Sequence, residues 1–217
     1  MTLSTSSVER TSISAAEIHV WHAQLDRDVC PPADRLPLEE RERAARLNRP
    51  LAQRRWVAAR WALREVLGRY LDEDPAAVEL RIAEQGKPML AAPSSSLRFN
   101  LSHSGGRALV AVTWEREVGV DIEQVRPRGD LLALARRALE PAEADAIVEM
   151  SPEARPAAFH AAWTRREAVA KCLGTGLAAP LPEGVVVAVS ALNAGPGFAA
   201  AIAVSGTGLP PPRHFVI

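Results

Sequence analysis

The chain has 217 residues, 47% of them apolar, and its 26 basic and 26 acidic residues cancel to zero net charge. That apolar share can bury a core for one large domain or for two of about 100 residues each. The neutral balance argues against a dedicated nucleic-acid binder, which carries a basic excess, and no run reaches the roughly 18 apolar residues that a membrane span needs. Cys30 and Cys172 form no C-x-x-C pair, so neither a disulfide framework nor a zinc site is expected. Met1 to Ala16 is rich in Ser and Thr and lacks the apolar block of a secretion signal; it reads as a disordered lead-in to a cytoplasmic protein.

The folded part opens with a strand around Ile18 and Val20. Cys30-Pro31-Pro32 and Pro37 mark a loop, and Glu39 to Leu47 is a highly charged helical run. A longer helix follows over Leu51 to Leu71, with Trp56, Ala59, Leu63, Val66, Leu67 and Tyr70 near helical spacing. Val78 to Ala83 predicts a strand, Gln85-Gly86-Lys87-Pro88 a turn and Pro93 to Ser96 a loop. Leu97 to Ser102 and Ala108 to Trp114 predict two strands joined through Ser104-Gly105-Gly106, and Val118 to Glu123 another. Helices are expected over Leu131 to Leu139, Pro141 to Met150 and Ala157 to Leu173, the last ended by Gly174. Val185 to Val189, Phe198 to Val204 and His214 to Ile217 are strand-like. Strands and helices do not alternate, which favours an α+β plan. Two halves of similar design, 17–116 and 117–217, are suggested.

Four short constellations could carry chemistry. In Gly119-Val120-Asp121-Ile122-Glu123 a strand would point Val120 and Ile122 to the core and Asp121 and Glu123 to the other face. Two carboxylates so close need a positive partner, and hard oxygens suit Mg²⁺; an ordinary strand edge would look the same. In Trp163-Thr164-Arg165-Arg166-Glu167-Ala168-Val169-Ala170-Lys171, helical spacing lines up Trp163, Glu167 and Lys171. Glu167 could be a third metal ligand and Lys171 a phosphate contact, or the two could be an exposed ion pair. Phe99 to Gly106 brings Ser102, His103, Ser104 and two glycines to a turn that could receive an anion or be a plain hairpin. Ser102 or Ser104 as a hydrolase nucleophile would need a G-x-S-x-G elbow, which the surroundings lack. Lys87, on the Gly86–Pro88 turn, is a further phosphate contact.

In order and spacing these pieces resemble the 4'-phosphopantetheinyl transferase superfamily, in particular its larger surfactin-synthetase-activating type. That family runs G-K-P, then F-N-[IL]-S-H-S, G-[IV]-D-[IV]-E, W-[ST]-x-[KR]-E-[AS]-x-x-K and G-x-G-L. The chain reads Gly86 to Pro88, Phe99 to Ser104, Gly119 to Glu123, Trp163 to Lys171 and Gly174-Thr175-Gly176-Leu177, so the resemblance spans residues 17 to 205. It implies a pseudo-dimer of two α+β halves with coenzyme A in the cleft between them. It places Mg²⁺ on Asp121, Glu123 and Glu167, and the phosphates on Lys171. The nucleotide end falls to Lys87, Ser102 and His103, with His103 near the 3'-phosphate and Arg49 and Arg54 as further basic contacts. Glu143 falls where some members place a general base. The family's lysine before the helical glutamate is Arg166 here, and Thr175 stands where lysine is common.

The implied reaction moves the phosphopantetheine arm from coenzyme A to a serine of an acyl carrier protein or peptidyl carrier protein of fatty-acid, polyketide or nonribosomal peptide synthesis, leaving 3',5'-ADP. The nucleophile belongs to the partner, so this chain needs none. A monomer is implied, both sides of the cleft coming from one chain, with neither nucleic acid nor membrane as partner. A non-catalytic carrier- or coenzyme-binding module, a different Mg²⁺ enzyme acting on phosphate esters, and a scaffold are the rival readings. None of them accounts for three carboxylates together with Lys87, His103 and Lys171.

Overall fold

A computed structural model describes residues 10–27, 33–83, 86–92, 95–127, 129–177 and 183–217. Cys30, Pro31, Pro32, Gln85, Pro93 and Ser94, which carry parts of the expected loops, lie outside them. The elements in chain order are β1 (Ile18–Gln24), α1 (Leu38–Ala45), α2 (Pro50–Leu71), β2 (Leu80–Ile82), β3 (Pro88–Leu90), β4 (Leu97–Ser104), β5 (Arg107–Trp114) and β6 (Val118–Gln124). Then come α3 (Leu131–Ala138), α4 (Pro141–Glu149), α5 (Arg155–Leu173), β7 (Val187–Ala191), β8 (Phe198–Ser205) and β9 (Arg213–Val216). The plan is α+β.

One sheet has the order β4-β5-β1-β9 and another β6-β8-β7, while β2 and β3 pair as a small hairpin. Period-2 alternation in the strands gives each large sheet two apolar faces. Ile18, Val20, Leu109 and Ala111 meet Val118, Val120, Ile122, Ile202 and Val204 in a core between the sheets. On the outer face of the first sheet, Trp21, Phe99, Val110 and Val112 pack on Leu63, Val66 and Leu67 of α2. On the outer face of the second, Ala201 and Ala203 pack on Ala168 and Cys172 of α5. The layers therefore run helix, sheet, sheet, helix, and each sheet carries one long helix on its outer side.

Local chemistry sets the ends of the long helices. Pro50 and Pro156 sit in the first turns of α2 and α5, where a missing N–H costs little. Asp72 and Gly174 end them in the left-handed region, at φ 60° and 67°. Several expectations shift. β3 forms where only a turn is predicted, and β7 starts two residues late, at Val187. The end of the lead-in is tied down: the Thr11 N–H donates to the Arg69 carbonyl and Ile13 packs on the α2 core. β9 pairs in parallel with β1, so residues 213–216 join the sheet of the first half although they follow residue 117.

Candidate active site

The two large sheets meet at their edge strands β4 and β6, and side chains rather than a backbone ladder join them. Asn100 Oδ1 accepts from the Val120 N–H at 2.9 Å, Ser102 Oγ from the Ile122 N–H at 3.4 Å and Ser104 Oγ from the Gln124 N–H at 3.1 Å. Alternate β4 residues thus cap alternate donors of β6, groups that an edge strand would otherwise leave unpaired. This explains the polar residues at every second position of Asn100-Leu101-Ser102-His103-Ser104. It also changes the expected geometry of that segment. β4 runs on to Ser104, and Gly105-Gly106 form a two-residue hairpin turn with Gly105 at φ 57°. A Cβ on Gly106 would lie 2.4 Å from the Asp26 carboxylate. The glycines make a tight hairpin there rather than a cradle for an anion.

The same register puts Asp121 and Glu123 on the outer face of β6, beside α5. Gly119 lets α5 come close: a Cβ there would stand 2.0 Å from the Ala168 carbonyl oxygen and 2.3 Å from the Cys172 nitrogen. Lys171 Nζ then reaches Asp121 Oδ1 at 2.6 Å and Ser102 Oγ at 3.1 Å, while Ser102 donates to the same Oδ1 at 2.8 Å. Asp121 is 3% exposed, and its Oδ2 is buried with no hydrogen-bond partner. Ser104 Oγ donates to Glu123 Oε2 at 2.7 Å. Half-buried Glu167 sits close enough for its carboxyl to be held above the ordinary 4.5, first by burial and then by the charges of Asp121 and Glu123, against a lowering pull from Lys171. Asp121, Glu123, Glu167, Ser102 and Lys171 thus share one site. The alternative ion pair between Glu167 and Lys171 is replaced by one between Asp121 and Lys171. Ser102 spends its only proton on Asp121, so it is neither a nucleophile nor a free donor to a nucleotide.

Next to this centre a cavity of about 720 Å³ is lined by His103 and Trp56 and by charged groups of both signs, Arg43, Arg46 and Arg60 with Glu39, Glu40 and Glu42 among them. His103 is exposed, yet partial burial of its ring, then Lys171 and Arg60, hold its pKa below 6.5. His103 is therefore a neutral donor at neutral pH; the positive groups of the cavity are arginines, of which Arg46 is paired with Glu42 and Arg60 with Glu40. Four of the expected positions stand elsewhere. Exposed Arg49 caps α2 and exposed Arg54 follows on the same helix; neither is among the cavity residues. Lys87 donates to Glu117 at 3.0 Å and to the Val118 carbonyl at 3.2 Å, facing a different cavity of about 640 Å³ on the other side of the β2–β3 hairpin. Glu143 takes a bond from Arg165 at 2.9 Å. Arg165 is two residues before Glu167 and so on another side of α5, which separates Glu143 from the carboxylate centre. No sequence signal singled out the arginines that line the His103 cavity, although Arg43 in the last turn of α1 and Arg46 at its C-cap are three apart.

Comparison with known proteins decides the family. The sequence model of the 4'-phosphopantetheinyl transferase superfamily matches residues 117–199, and that of the 4'-phosphopantetheinyl transferase N-terminal region matches residues 21–115. The chain is 37% identical over 167 residues to the 4'-phosphopantetheinyl transferase HetI of Nostoc sp., covering 75% of this chain and 70% of HetI. The chain belongs to the 4'-phosphopantetheinyl transferase superfamily. The transferase AcpT of Salmonella typhi is 41% identical over 119 residues, 55% of this chain and 58% of AcpT.

For a phosphopantetheinyl transferase the question of Mg²⁺ turns on the donor set. Among the described residues, no three His, Cys, Asp or Glu side chains stand close enough as placed to hold an ion. The electrostatics nevertheless fit a hard cation. Asp121 and Glu123 both push the Glu167 carboxyl up, and among the described residues the buried Asp121 Oδ2 has no partner. Lys171 supplies the local positive charge by lying on Asp121.

Proposed function

We propose that this chain transfers 4'-phosphopantetheine from coenzyme A to a serine of an apo acyl or peptidyl carrier protein, as a monomeric, cytoplasmic enzyme of the surfactin-synthetase-activating type. The observation that carries the reading is the Lys171–Asp121–Ser102 contact beside Glu123 and Glu167, next to a cavity that brings His103 together with Arg43 and Arg46. Asp121, Glu123 and Glu167 would hold Mg²⁺. Bound there, the ion supplies charge neutralisation of the pyrophosphate and makes phosphorus a better electrophile.

The chain's own residues do the rest. Arg43, Arg46 and His103 receive the 3'-phosphate end of coenzyme A, His103 through an N–H and the arginines through charge. Lys171 stands where the pyrophosphate meets the carboxylates, and it stabilises the charge that grows on the departing 3',5'-ADP. The carrier serine oxygen forms a bond to the phosphorus that bears the pantetheine arm, and the bond from that phosphorus to the ADP oxygen breaks. The serine proton passes to solvent, since Glu167 is assigned to the metal and Glu143 on α4 is occupied by Arg165 of α5. Among the described residues no helix is long and apolar enough to cross a membrane. Carriers of secondary metabolism are the expected partners.

The test mixes the protein with coenzyme A, Mg²⁺ and a panel of apo carriers from fatty-acid, polyketide and peptide synthases, and reads intact masses. At least one carrier should gain the mass of one phosphopantetheine group, and a chelator should stop the gain. An unchanged mass across the panel would overturn the proposal. A gain that persists in the chelator would overturn the metal assignment.

A further inference from the structure

The free edge of the first sheet carries a histidine pair outside the transfer centre. His22 on β1 and His214 on β9 face each other, with His22 Nε2 2.9 Å from His214 Nδ1. Their ring centroids are 5.2 Å apart. The parallel pairing of β1 with β9 sets this diagonal contact, since Val20 lies opposite His214 and His22 opposite Val216. The Ile217 N–H also donates to the His22 carbonyl at 3.0 Å, which fixes the end of β9.

We propose that His22 and His214 form a two-imidazole site for a borderline divalent transition cation such as Zn²⁺, which clasps the C-terminal strand to the sheet. Two imidazoles on one tetrahedral Zn²⁺, with bonds of about 2.0–2.1 Å, place their ring centroids roughly 5 Å apart. The rings are already at that separation, so binding requires them to rock in place rather than to travel. In the metal-free pair one ring donates its proton to the other. Moving that proton to the far nitrogen of the same ring frees both facing lone pairs. Burial, then His214 and Arg107, hold the His22 pKa down, which favours the neutral form a metal needs. Among the described residues no third His, Cys, Asp or Glu joins the pair, so water completes the coordination. Nitrogen donors separate this site from Asp121, Glu123 and Glu167, which offer only hard oxygens.

The experiment is calorimetric titration of untagged protein with Zn²⁺ in excess Mg²⁺, which masks the carboxylate centre. The wild type and the His22→Ala and His214→Ala variants are compared. One ion should bind the wild type and raise its unfolding temperature, and either variant should weaken binding about tenfold or more, as loss of a metal's support does. The conservative His214→Gln, which keeps a polar side chain without an imidazole donor, should behave like His214→Ala. Transfer to a carrier protein should be unchanged in all three variants, so a failure of transfer in the wild type is a separate result. No Zn²⁺ binding by the wild type, or equal binding by wild type and variants, would overturn the proposal.

Discussion

Asp121 is the residue on which the site turns. One of its oxygens takes bonds from Lys171 and Ser102, and the other is buried without a partner. Lys171→Ala should lower turnover about a hundredfold or more, the usual cost of removing a donor aimed at developing charge; steady-state rates of carrier modification check this. Glu167 must be ionised to hold Mg²⁺, and without the ion its pKa is raised above 4.5. The rate should therefore fall as pH drops through that raised value and recover above it, more Mg²⁺ should shift this acidic limb to lower pH, and Glu167→Gln should lower the rate at every pH. His103→Ala should raise the Michaelis constant for coenzyme A much more than for the 3'-dephospho form; equal effects on both would separate His103 from the 3'-phosphate. The carboxylates were legible in the sequence because alternation along a strand and spacing along a helix fix which side chains share a face. The positions of Lys87 and Glu143 were not, because each depends on a partner from elsewhere, Glu117 or Arg165, that no local pattern announces.

At the scale of elements, the site exists because α5 lies directly on β6, and Gly119 is the reason it can. Gly119→Ala would drive a methyl group into the α5 backbone. Overpacking of this kind costs about 3 kcal/mol or more when backbone must move, and it would also lift Lys171 off Asp121. Thermal unfolding together with the transfer rate should show both losses; a variant as stable and active as the parent would contradict the packing account. Helix α1 depends on a different contact. Burial alone would raise the Glu40 carboxyl, but bonds from Arg60 and Arg64 outweigh it and hold the group below 4.5. A lowered carboxylate contributes stability above its unfolded pKa and loses it as pH falls through its folded value, so this tether should weaken in acid. Glu40→Ala strands two arginines that are 7% and 1% exposed, and should cost about 3 kcal/mol in chemical denaturation. Helices and long strands could be read from periodicity, because apolar spacing and flanking Pro and Gly are local signals. The hairpin β2–β3 and the start of β7 were harder, since short edges form only where a neighbour offers a register.

Over the whole molecule, the two sheets are held together by the apolar core between them and by three side chains of β4 that cap β6. Asn100 is 3% exposed and, unlike Ser102 and Ser104, its cap carries no bond to a carboxylate. Asn100→Ala would leave the Val120 N–H buried and unpaired, a loss of about 1–3 kcal/mol, measurable as a lower unfolding midpoint. The α+β plan could be foreseen from the order of elements. The return of β9 to the first sheet could not, because a parallel edge pairing between residues nearly 200 apart in the chain leaves no local trace (His22 and His214 are 192 apart). The proposed transfer requires Asp121, Glu123, Glu167 and Lys171 to act together on a phosphate. The most direct measurement is the intact mass of an apo carrier protein after incubation with coenzyme A, Mg²⁺ and either the wild type or Asp121→Asn, with circular dichroism confirming that both are folded. The carrier should gain one phosphopantetheine group with the wild type and stay apo with Asp121→Asn; near-equal conversion by the two proteins would contradict the account.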